Sequence, residues 1–331
     1  MVYIVTTKEN LLLCLKEECG KWLSGEMLSD KLAVSRAAVW KHIRKLKEDG
    51  YIIESSPGKG YLLSKVTDLL LPDEIREGLD TRVLGKKDIF HFRETDSTNI
   101  RAKALAAGGA PEGTLIIAEK QTRGKGRRNR IWFSPEGGGI YASLILRPAI
   151  PPGEAPRITL MVAVAAAEAL LSLTQLKVRI KWPNDILVNG KKMAGILSEV
   201  SAGMEKVDYI IAGIGINVNT REEHFSEDIK GKATSLFIET GKTFPRVDII
   251  QAYLKWCENY CEMLRKSGFE PVIRRWKELA NIIGQRITVD IMGKMYFGQV
   301  QDVGMDGVLI LKDDQGRFHR ISSGDVLLDQ S

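Results

Sequence analysis

The chain has 331 residues, of which 44% are hydrophobic and 27% charged, as is ordinary for a soluble globular protein of two or three domains. Its net charge of +6 is mild, so local clusters of basic residues matter more than the total for binding a polyanion. Four cysteines without a CxxC pair predict reduced thiols in a cytoplasmic protein and no zinc site. The charged residues between Lys8 and Glu18 predict that the chain has no signal peptide. No run of about 18 apolar residues is present to span a membrane.

Residues 1–65 are predicted to form three helices followed by a hairpin. Residues 8–19 and 24–32 suit the first two helices, and Ser35 suits the N-cap of a third helix over residues 36–48. Residues 51–63 suit two short strands around a Pro-Gly turn. This order of elements is typical of a winged helix-turn-helix, whose third helix fits the major groove of DNA.

The third predicted helix has an apolar face and a basic face. Val39, Ile43 and Leu46 share the inner face, while the segment from Arg36 to Lys47 holds five basic residues and no acidic one. A solvated helix face is the alternative, but the position in a winged helix favours DNA binding. The predicted DNA contacts are Ser35, Arg36, Trp40, Lys41, Arg44 and, in the wing, Lys59.

Trp40 is unusual on an outward face, where a polar residue is expected. Three roles suit its indole: stacking on a sugar, contacting a thymine methyl group, or covering the surface of its own domain.

Residues 66–85 are predicted to be a connector, in which Pro72 can start a helix. Residues 86–282 alternate predicted strands and helices, including an apolar, alanine-rich helix over 158–173 and a hairpin with a type I′ signal at Asn189-Gly190. Residues 283–331 are short predicted strands separated by turns, which indicates a small β-barrel. The predicted fold class is therefore α+β, with three domains and a connector.

A basic loop in the middle region is the most informative segment of the chain. Six of the eleven residues from Lys120 to Arg130 are basic, and two glycines lie among them. Glycine lets a backbone approach a ligand closely, and arginine offers paired donors to phosphate or carboxylate. Aromatic residues follow at once, beginning with Trp132. The loop is typical of one that wraps an anion and stacks on a ring, although a solvated run of charge is the simpler alternative.

Two further segments place polar side chains at predicted strand ends. Asp96-Ser-Thr-Asn99 suits hydrogen bonds to a polar ring, or simply the cap of a helix over residues 99–107. In Lys181-Trp-Pro-Asn-Asp185 the proline stops a strand, so that Asn184 and Asp185 project from its end.

The last two segments lie on predicted strands. Lys192 enters an apolar strand just after the Asn189-Gly190 turn, either as a surface lysine or as a charge aimed into a pocket. The segment Gly213-Ile-Gly-Ile-Asn-Val-Asn219 has glycines inside a strand, which indicates either a close approach to the backbone or a bulge.

These five segments, in this order, resemble the biotin protein ligases, and the similarity extends across the whole chain. The N-terminal winged helix resembles that of the bifunctional subclass, which also represses the genes of biotin synthesis. The resemblance implies a central catalytic domain built on a mixed sheet and a C-terminal barrel. It also implies two reactions, in which biotin and ATP give biotinyl-5′-AMP and pyrophosphate, and a lysine of a carrier protein then takes the biotinyl group.

The resemblance also implies roles for residues of this chain. Lys192, Arg127 and Asp185 are the expected catalytic residues, and Asp185 has two possible roles, holding Mg²⁺ or taking a proton from the incoming lysine. The expected biotin-binding residues are Ser97, Thr98, Asn99, Gln121, Gly124, Lys125, Gly126, Arg127, Lys192, Gly213 and Gly215. The expected nucleotide-binding residues are Arg127, Arg128, Arg130, Trp132, Asn184, Lys192 and Asn217, with Trp132 stacking on adenine.

The implied substrates are biotin and ATP with Mg²⁺, and the implied partners are a biotin carboxyl carrier protein, operator DNA and, with the adenylate bound, a second copy of the chain. No membrane partner is expected. The basic loop departs from the family pattern at Lys125, where arginine is usual, and at Asn129, where glycine is usual. Lysine keeps the charge but loses the paired donors.

Two other functions compete with this prediction. A ligand-sensing repressor without ligase activity would be expected to lack Lys192 or Arg127, and both are present. A lipoate or octanoyl transferase has a related fold, but that family lacks the segment at residues 181–185 and usually the winged helix.

Overall fold

The computed structural model describes residues 6–65 and 68–327. The ends of the predicted outer domains, residues 1–5 and 328–331, and the first two connector residues, 66 and 67, lie outside the described residues. The chain divides into two compact units, the first ending at Glu74 and the second beginning at Ile75. The finer domain limits at 65, 85 and 282 stay predictions.

The first unit has the predicted order of helices and strands. Its elements are α1 (Thr7–Glu17), α2 (Gly25–Leu32), α3 (Arg36–Asp49), β1 (Ile52–Ser56) and β2 (Gly60–Lys65), and α4 (Pro72–Arg76) crosses the boundary between the units.

Local signals define α3 as expected. The Ser35 hydroxyl accepts a hydrogen bond from the Ala38 amide at 3.2 Å, and Gly50 ends the helix with a φ of 110°. Val39, Ile43 and Leu46 are buried in the core of the unit.

The hairpin of β1 and β2 is attached to the segment before α2. Leu23 and Tyr61 exchange backbone hydrogen bonds of 2.8 and 2.9 Å. Gly60 has a φ of 98°, and a β carbon there would lie 2.0 Å from the Leu23 carbonyl oxygen. Only glycine fits this crossing, which holds the wing beside α2 and α3.

The second unit contains a seven-stranded sheet, its helices and a five-stranded sheet. The strands are β3 (Ile89–Thr95), β4 (Leu115–Gln121), β5 (Gly139–Leu146), β6 (Val178–Lys181), β7 (Asp185–Val188), β8 (Lys191–Ala202), β9 (Val207–Asn217), β10 (Arg286–Ile291), β11 (Lys294–Val303), β12 (Leu309–Lys312), β13 (Phe318–Ile321) and β14 (Asp325–Leu327). The helices are α5 (Thr98–Ala107), α6 (Ala155–Leu173), α7 (Leu236–Thr240), α8 (Arg246–Ser267) and α9 (Glu270–Ala280).

The larger sheet is mixed, as predicted. Its strand order is β3-β4-β5-β9-β8-β7-β6, and β3 and β4 are parallel while the other neighbours are antiparallel. Asn189 and Gly190 both have positive φ, at 49° and 77°, which confirms the type I′ signal between β7 and β8. Helix α5 packs on β4, β5 and β9.

The helix α6 confirms the alanine-rich helix predicted over residues 158–173. The segment Pro152–Leu173 is long and apolar enough to cross a membrane by length and composition, although no such segment was expected. Most of it is buried, and α6 contacts α8, α9 and the sheet strands β6, β8 and β9. Its alanine-rich, apolar surface is therefore that of a core helix covered on several sides.

The C-terminal strands form an antiparallel sheet of order β13-β12-β11-β10-β14. The end strands β13 and β14 do not pair with each other in the described part of the chain, so the small barrel predicted for residues 283–331 stays a prediction. The short helix α7 was not predicted, although Ser235 caps it by accepting from the Ile238 amide at 3.1 Å.

Candidate functional site

A cavity of about 220 Å³ lies in the second unit, where the five segments singled out in the sequence meet. The predicted site residues that line it are Ser97, Thr98, Asn99, Gln121, Lys125, Gly126, Arg127, Arg130, Trp132, Asn184, Asp185, Lys192, Gly213, Gly215 and Asn217. Residues distant in sequence thus form one site with both apolar and charged walls.

The end of β3 and the start of α5 provide a polar corner of the cavity. Ser97 is the N-cap of α5 but makes no side-chain capping bond, so the capping alternative does not account for its hydroxyl. Gln121 Oε1 accepts hydrogen bonds from the Thr98 amide at 2.8 Å and from the Thr98 hydroxyl at 3.2 Å. Gln121 Nε2 donates to Ser134 Oγ at 2.9 Å, so the amide orientation is fixed from both sides.

The basic loop folds as a small hairpin between Gly124 and Trp132. The Trp132 amide donates to the Gly124 carbonyl at 2.8 Å, and the Gly126 amide donates to the Arg130 carbonyl at 2.7 Å. Arg128 and Asn129 form its tip with φ angles of 53° and 59°. Asparagine tolerates this left-handed conformation better than most residues, so Asn129 suits the position where the family usually has glycine.

Three arginines of the loop reach the C-terminal sheet, where Asp325 lies at the start of β14. Arg130 lies 2.6 Å from Asp325 Oδ2, Arg128 lies 3.3 Å from the same atom, and Arg127 lies 3.8 Å from Oδ1. Arg128 also donates to the backbone carbonyl of Asp290 at 2.8 Å. The loop is therefore held to the C-terminal sheet by charge-assisted contacts.

Trp132 covers two glycines that pair across β8 and β9. A β carbon on Gly215 would lie 2.3 Å from the Cε2 and Nε1 atoms of the indole, and one on Gly195 would lie 3.0 Å from Cζ3. Gly195 is the cross-strand partner of Gly215. The buried Nε1 atom has no hydrogen-bond partner among the described residues. The sequence predicted that a group approaches the strand backbone closely at its glycines, and in this structure that group is the Trp132 indole.

Asn99 lies against Gly213 in the same way as Trp132 lies against Gly215. A β carbon on Gly213 would lie 1.9 Å from Asn99 Oδ1. The Asn99 amide donates to Glu199 Oε2 at 2.9 Å, and Ser143 Oγ lies 2.7 Å from Asn99 Oδ1. Lys125 Nζ lies 3.7 Å from the other oxygen of Glu199. The expected contact of biotin with the backbone at Gly213 therefore requires Asn99 to move.

Lys192 points into the cavity, which resolves the two alternatives left by the sequence. The register between β7 and β8 shifts beside it, since Leu187 pairs with Lys192 but Ile186 pairs with Ala194. Such a bulge re-aims side chains. The Lys192 ammonium lies 2.7 Å from Asp185 Oδ1 and 5.3 Å from the centre of a Trp132 ring.

Asn184 joins the basic loop to the sheet. Its side-chain oxygen accepts a hydrogen bond from Arg127 at 3.0 Å, and its nitrogen donates to the Ile196 carbonyl at 2.6 Å. Asn217 Nδ2 donates to the Thr234 carbonyl at 3.0 Å. Both predicted nucleotide-binding asparagines are thus buried and oriented by backbone groups.

Burial disfavours positive charge at two of the basic groups. Burial lowers the pKa of the Lys181 ammonium, although the charge of Asp185 opposes this shift. Burial likewise lowers the pKa of the Arg127 guanidinium, against the attraction of Asp325 and Asp185. An anion in the cavity would therefore meet in Arg127 a cation that is only partly hydrated, where electrostatic interactions are strong.

Two predicted site residues do not line the cavity. Gly124 lies inside the loop hairpin, where a β carbon would meet the Trp132 carbonyl oxygen at 2.5 Å. Arg128 points to Asp290 and Asp325 instead of into the cavity. Their roles in this structure are to shape and attach the loop.

Other lining residues were missed from the sequence. Gly195 had a signal, because it is a glycine within a predicted strand. Asp325 had none, since it comes from the last strand of the chain. The remaining missed residues are Ile131, Phe133, Ile196, Leu197, Ile214, Phe225, Ile229 and Ala233.

The first unit presents the predicted basic face of α3. Ser35, Arg36, Trp40, Lys41 and Arg44 are exposed. In the wing, Lys59 Nζ lies 5.7 Å from the centre of the Trp22 ring, beside the segment that precedes α2.

Each of the two units contains a region that matches a known protein family or domain. Residues 91–217 match the model of the biotin/lipoate A/B protein ligase family, and residues 7–62 match an HTH domain. Among solved structures, a biotin protein ligase from Aquifex aeolicus in complex with biotin and ATP matches with a TM-score of 0.63 and 30% identity, covering 74% of this chain and 100% of that chain.

Curated relatives match along nearly the whole chain. The bifunctional ligase/repressor BirA of Bacillus subtilis is 40% identical over 323 residues, which cover 98% of this chain and 99% of that protein. The protein of the same name from Escherichia coli is 32% identical over 295 residues, which cover 89% of each chain. The resemblance stated from the sequence is confirmed, and the chain belongs to the bifunctional ligase/repressors of the biotin/lipoate A/B protein ligase family.

Proposed function

We propose that this chain attaches biotin to a lysine of a biotin carboxyl carrier protein through biotinyl-5′-AMP, and that it represses biotin synthesis genes when the adenylate is bound. The observation that carries the ligase activity is the cavity itself, in which Lys192 and Arg127 meet the polar corner of Thr98 and Gln121. A ligand with a polar ring at one end and a carboxylate at the other fits this arrangement.

Biotin is proposed to bind with its ureido ring at Ser97, Thr98 and Gln121. The oriented Gln121 amide and the Ser97 hydroxyl offer donors and acceptors at one end of the cavity. Its carboxylate then lies toward Lys192 and the backbone of the loop from Gly124 to Arg127. Asn99 and Trp132 must shift to open the strand surface at the glycines beneath them.

ATP is proposed to bind on the side of Trp132, Asn184 and Asn217, with adenine stacked on the indole. Trp132 Nε1 has no hydrogen-bond partner among the described residues, and the Lys192 ammonium lies beside the ring. Both observations support the proposal that the Trp132 side chain moves to stack on a ligand. Arg127 and Arg130, which line the cavity, are proposed to contact the phosphates.

In the first reaction a biotin carboxylate oxygen attacks the α-phosphorus, and the bond to the pyrophosphate oxygen breaks. Two anions must approach, so Lys192 and Arg127 stabilise both reactants and the charge that develops on phosphorus. In the second reaction a neutral lysine amine of the carrier attacks the biotinyl carbonyl carbon, AMP leaves, and the amine loses a proton. Asp185 has two alternative proposed roles, of which one is to accept that proton and the other is to hold Mg²⁺.

Mg²⁺ is the proposed metal. Asp185 would hold it together with phosphate oxygens of ATP, since Mg²⁺ usually takes one or two carboxylates plus substrate phosphates. No group of three potential metal-ligating side chains occurs among residues 6–65 and 68–327, which agrees with a metal that arrives with the nucleotide. When bound, it would neutralise charge on the phosphates.

Repression is proposed to act through the face of α3 and the wing residue Lys59. The HTH match and the exposed basic side chains support contact with operator DNA. One such module binds DNA weakly at physiological salt, so a homodimer is proposed to join two of them at high effective concentration.

Dimerisation is proposed to follow adenylate binding, because ordering of the loop lowers the entropic cost of an interface built on it. The strands β3 and β6 are the edges of the central sheet, and we propose that an edge pairs with a second copy or a carrier protein, so that these partners compete. Sedimentation with and without biotin and ATP tests this, and an equal monomer–dimer constant in both would contradict it.

The C-terminal sheet is proposed to be a small, partly open barrel. All five strands carry buried side chains, among them Ile287, Val300, Leu311, Ile321 and Val326, which supports this proposal. We also propose that the protein acts in the cytoplasm, in keeping with its free cysteines and its DNA and carrier partners.

Biotin-dependent exchange of pyrophosphate into ATP tests the first reaction. Exchange that requires biotin would support the proposal, and a protein that binds biotin without exchange would favour a repressor lacking ligase activity. Exchange with lipoate in place of biotin would favour the lipoate branch of the family.

A further inference from the structure

Trp40 stands on the exposed face of α3, among cations. Its side chain is 56% exposed, while Val39 and Ile43 beside it in sequence and one turn on are buried. Arg36 and Arg44 lie one turn before and after it, and the Arg44 guanidinium lies 6.0 Å from the centre of the indole. More than half of the indole surface is therefore left open to a partner.

The position of Trp40 within α3 indicates which part of the DNA its indole would contact. Trp40 is the fifth residue of the helix, and the N-terminal part of a recognition helix is the part that contacts base edges. Ala37, one turn earlier, is small and exposed, so it leaves the near side of the indole open. A groove between α3 and the wing, lined by Trp40, Arg44, Lys47 and Ser55, continues this face.

The chemistry of the indole indicates which group on a base edge it would contact. The ring presents a broad apolar surface and a single N–H donor. In the major groove the apolar group on a base edge is the C5 methyl of thymine, and apolar side chains recognise thymine through it. Phosphates are the natural partners of the neighbouring cations, which fix the register of the helix.

We propose that Trp40 reads a thymine by packing on its methyl group and so helps to set the operator sequence. This inference rests on the proposed binding of α3 to operator DNA. Arg36, Lys41 and Arg44 then supply affinity that depends on salt, and Trp40 supplies discrimination that does not.

The test uses the full-length protein with biotin and ATP present. Fluorescein-labelled duplexes are selected from a random-sequence pool, and each thymine of the selected duplex is replaced in turn by deoxyuridine, which lacks the methyl group. Anisotropy titrations at several salt concentrations compare the wild type with Trp40→Ala, Trp40→Phe and Lys41→Ala. Circular dichroism melts verify that the variants are folded, and Trp40→Phe keeps an aromatic ring should Trp40→Ala be unstable.

The wild type is expected to lose roughly 4-fold in affinity at one particular thymine, as for a methyl-sized group withdrawn from an apolar contact. Trp40→Ala should bind the selected duplex more weakly with an unchanged salt slope, and should be indifferent to deoxyuridine at that position. Trp40→Phe should keep part of the sensitivity. Lys41→Ala should instead lower the salt slope by about one and keep the sensitivity.

Three results would overturn the inference. They are unchanged affinity of Trp40→Ala, weaker binding with undiminished deoxyuridine sensitivity, and no sensitive thymine in the wild type. If the wild type binds no duplex in a salt-dependent manner, the proposed DNA binding itself fails, and that outcome is distinct because Lys41→Ala would then also have no effect.

Discussion

The indole of Trp132 lies against the backbone of Gly215 so closely that a β carbon there would meet two ring atoms at 2.3 Å. The same indole faces the Lys192 ammonium, which is paired with Asp185. The chain thus fills part of its own cavity and neutralises its main cation there. Ligand binding must exchange these internal contacts for contacts with biotin and ATP.

Gly215→Ala is expected to displace the indole. Overpacking of this kind typically costs about 1–3 kcal/mol of stability, and the KM for both substrates should rise because the floor of the cavity changes shape. Gly203→Ala is the matched control, since its β carbon would find only the Lys206 carbonyl at 4.0 Å. Thermal melts and steady-state kinetics make the comparison. Equal KM values for the two variants would show that the indole contact does not shape the site.

Lys192→Ala should lower adenylate formation by on the order of 10²–10³, as for removal of one preorganised charge from a transition state. The neighbouring lysine supplies the control, and Lys191→Ala should keep nearly the wild-type rate. Pyrophosphate release in a single turnover measures the step directly. A wild-type rate in Lys192→Ala would remove this residue from the chemistry.

Asp325→Asn should loosen the basic loop, because one carboxylate contacts Arg127, Arg128 and Arg130. We expect faster proteolytic cleavage within residues 124–132 and faster escape of biotinyl-AMP, seen as biotin on bystander proteins. Asp314→Asn is the control, since Asp314 pairs at 2.5 Å with Arg286 on the same sheet. If both variants retain the adenylate equally well, the contacts of Asp325 do not hold the loop.

Lys181 predicts opposite effects of alkaline pH on activity and on stability. Burial lowers its pKa in the folded chain below the ordinary 10.5, so the folded state releases this proton first as pH rises. Because the charge of Lys181 acts on Asp185 and Lys192, which line the cavity, adenylation should then fall at a lower pH than it would with a lysine of ordinary pKa. The contribution of Lys181 to stability should instead increase between the folded pKa and 10.5, because the unfolded chain binds more protons there.

Lys181→Arg should move the alkaline limit of the adenylation rate upward, since a guanidinium stays charged. Lys177→Arg, at an exposed position just before the same strand, should leave the profile unchanged. Identical profiles in the wild type and both variants would exclude Lys181 as the titrating group.

Local signals in the sequence predicted most of the fold. The cap at Ser35, the turn at Asn189-Gly190 and the buried face of α3 depend on residues near in sequence, and each formed as expected. Closure of the C-terminal strands depends on the pairing of β13 with β14, which no local pattern encodes. The apolar, alanine-rich pattern of residues 158–173 likewise predicted a helix, and the burial of α6 in the core distinguishes it from a membrane span.

The site was predictable where a residue's chemistry was visible in its own segment. Lys192, Asn184 and the glycines of β9 were found in this way and line the cavity. Asp325 was missed because its importance comes from three arginines almost 200 positions away. The contact of Asn99 with Gly213 could not be predicted either, because a glycine in a strand indicates a close approach but does not identify the group that approaches.

Transfer of biotin to a carrier protein tests the central claim most directly. The purified chain is incubated with biotin, ATP and a biotin carboxyl carrier domain, and the carrier is analysed by intact and peptide mass spectrometry. We expect one biotinyl group on a single lysine, dependent on ATP and lost with Lys192→Ala but not with Lys191→Ala. A carrier that stays unmodified while the folded protein binds biotin would contradict the assignment as a ligase.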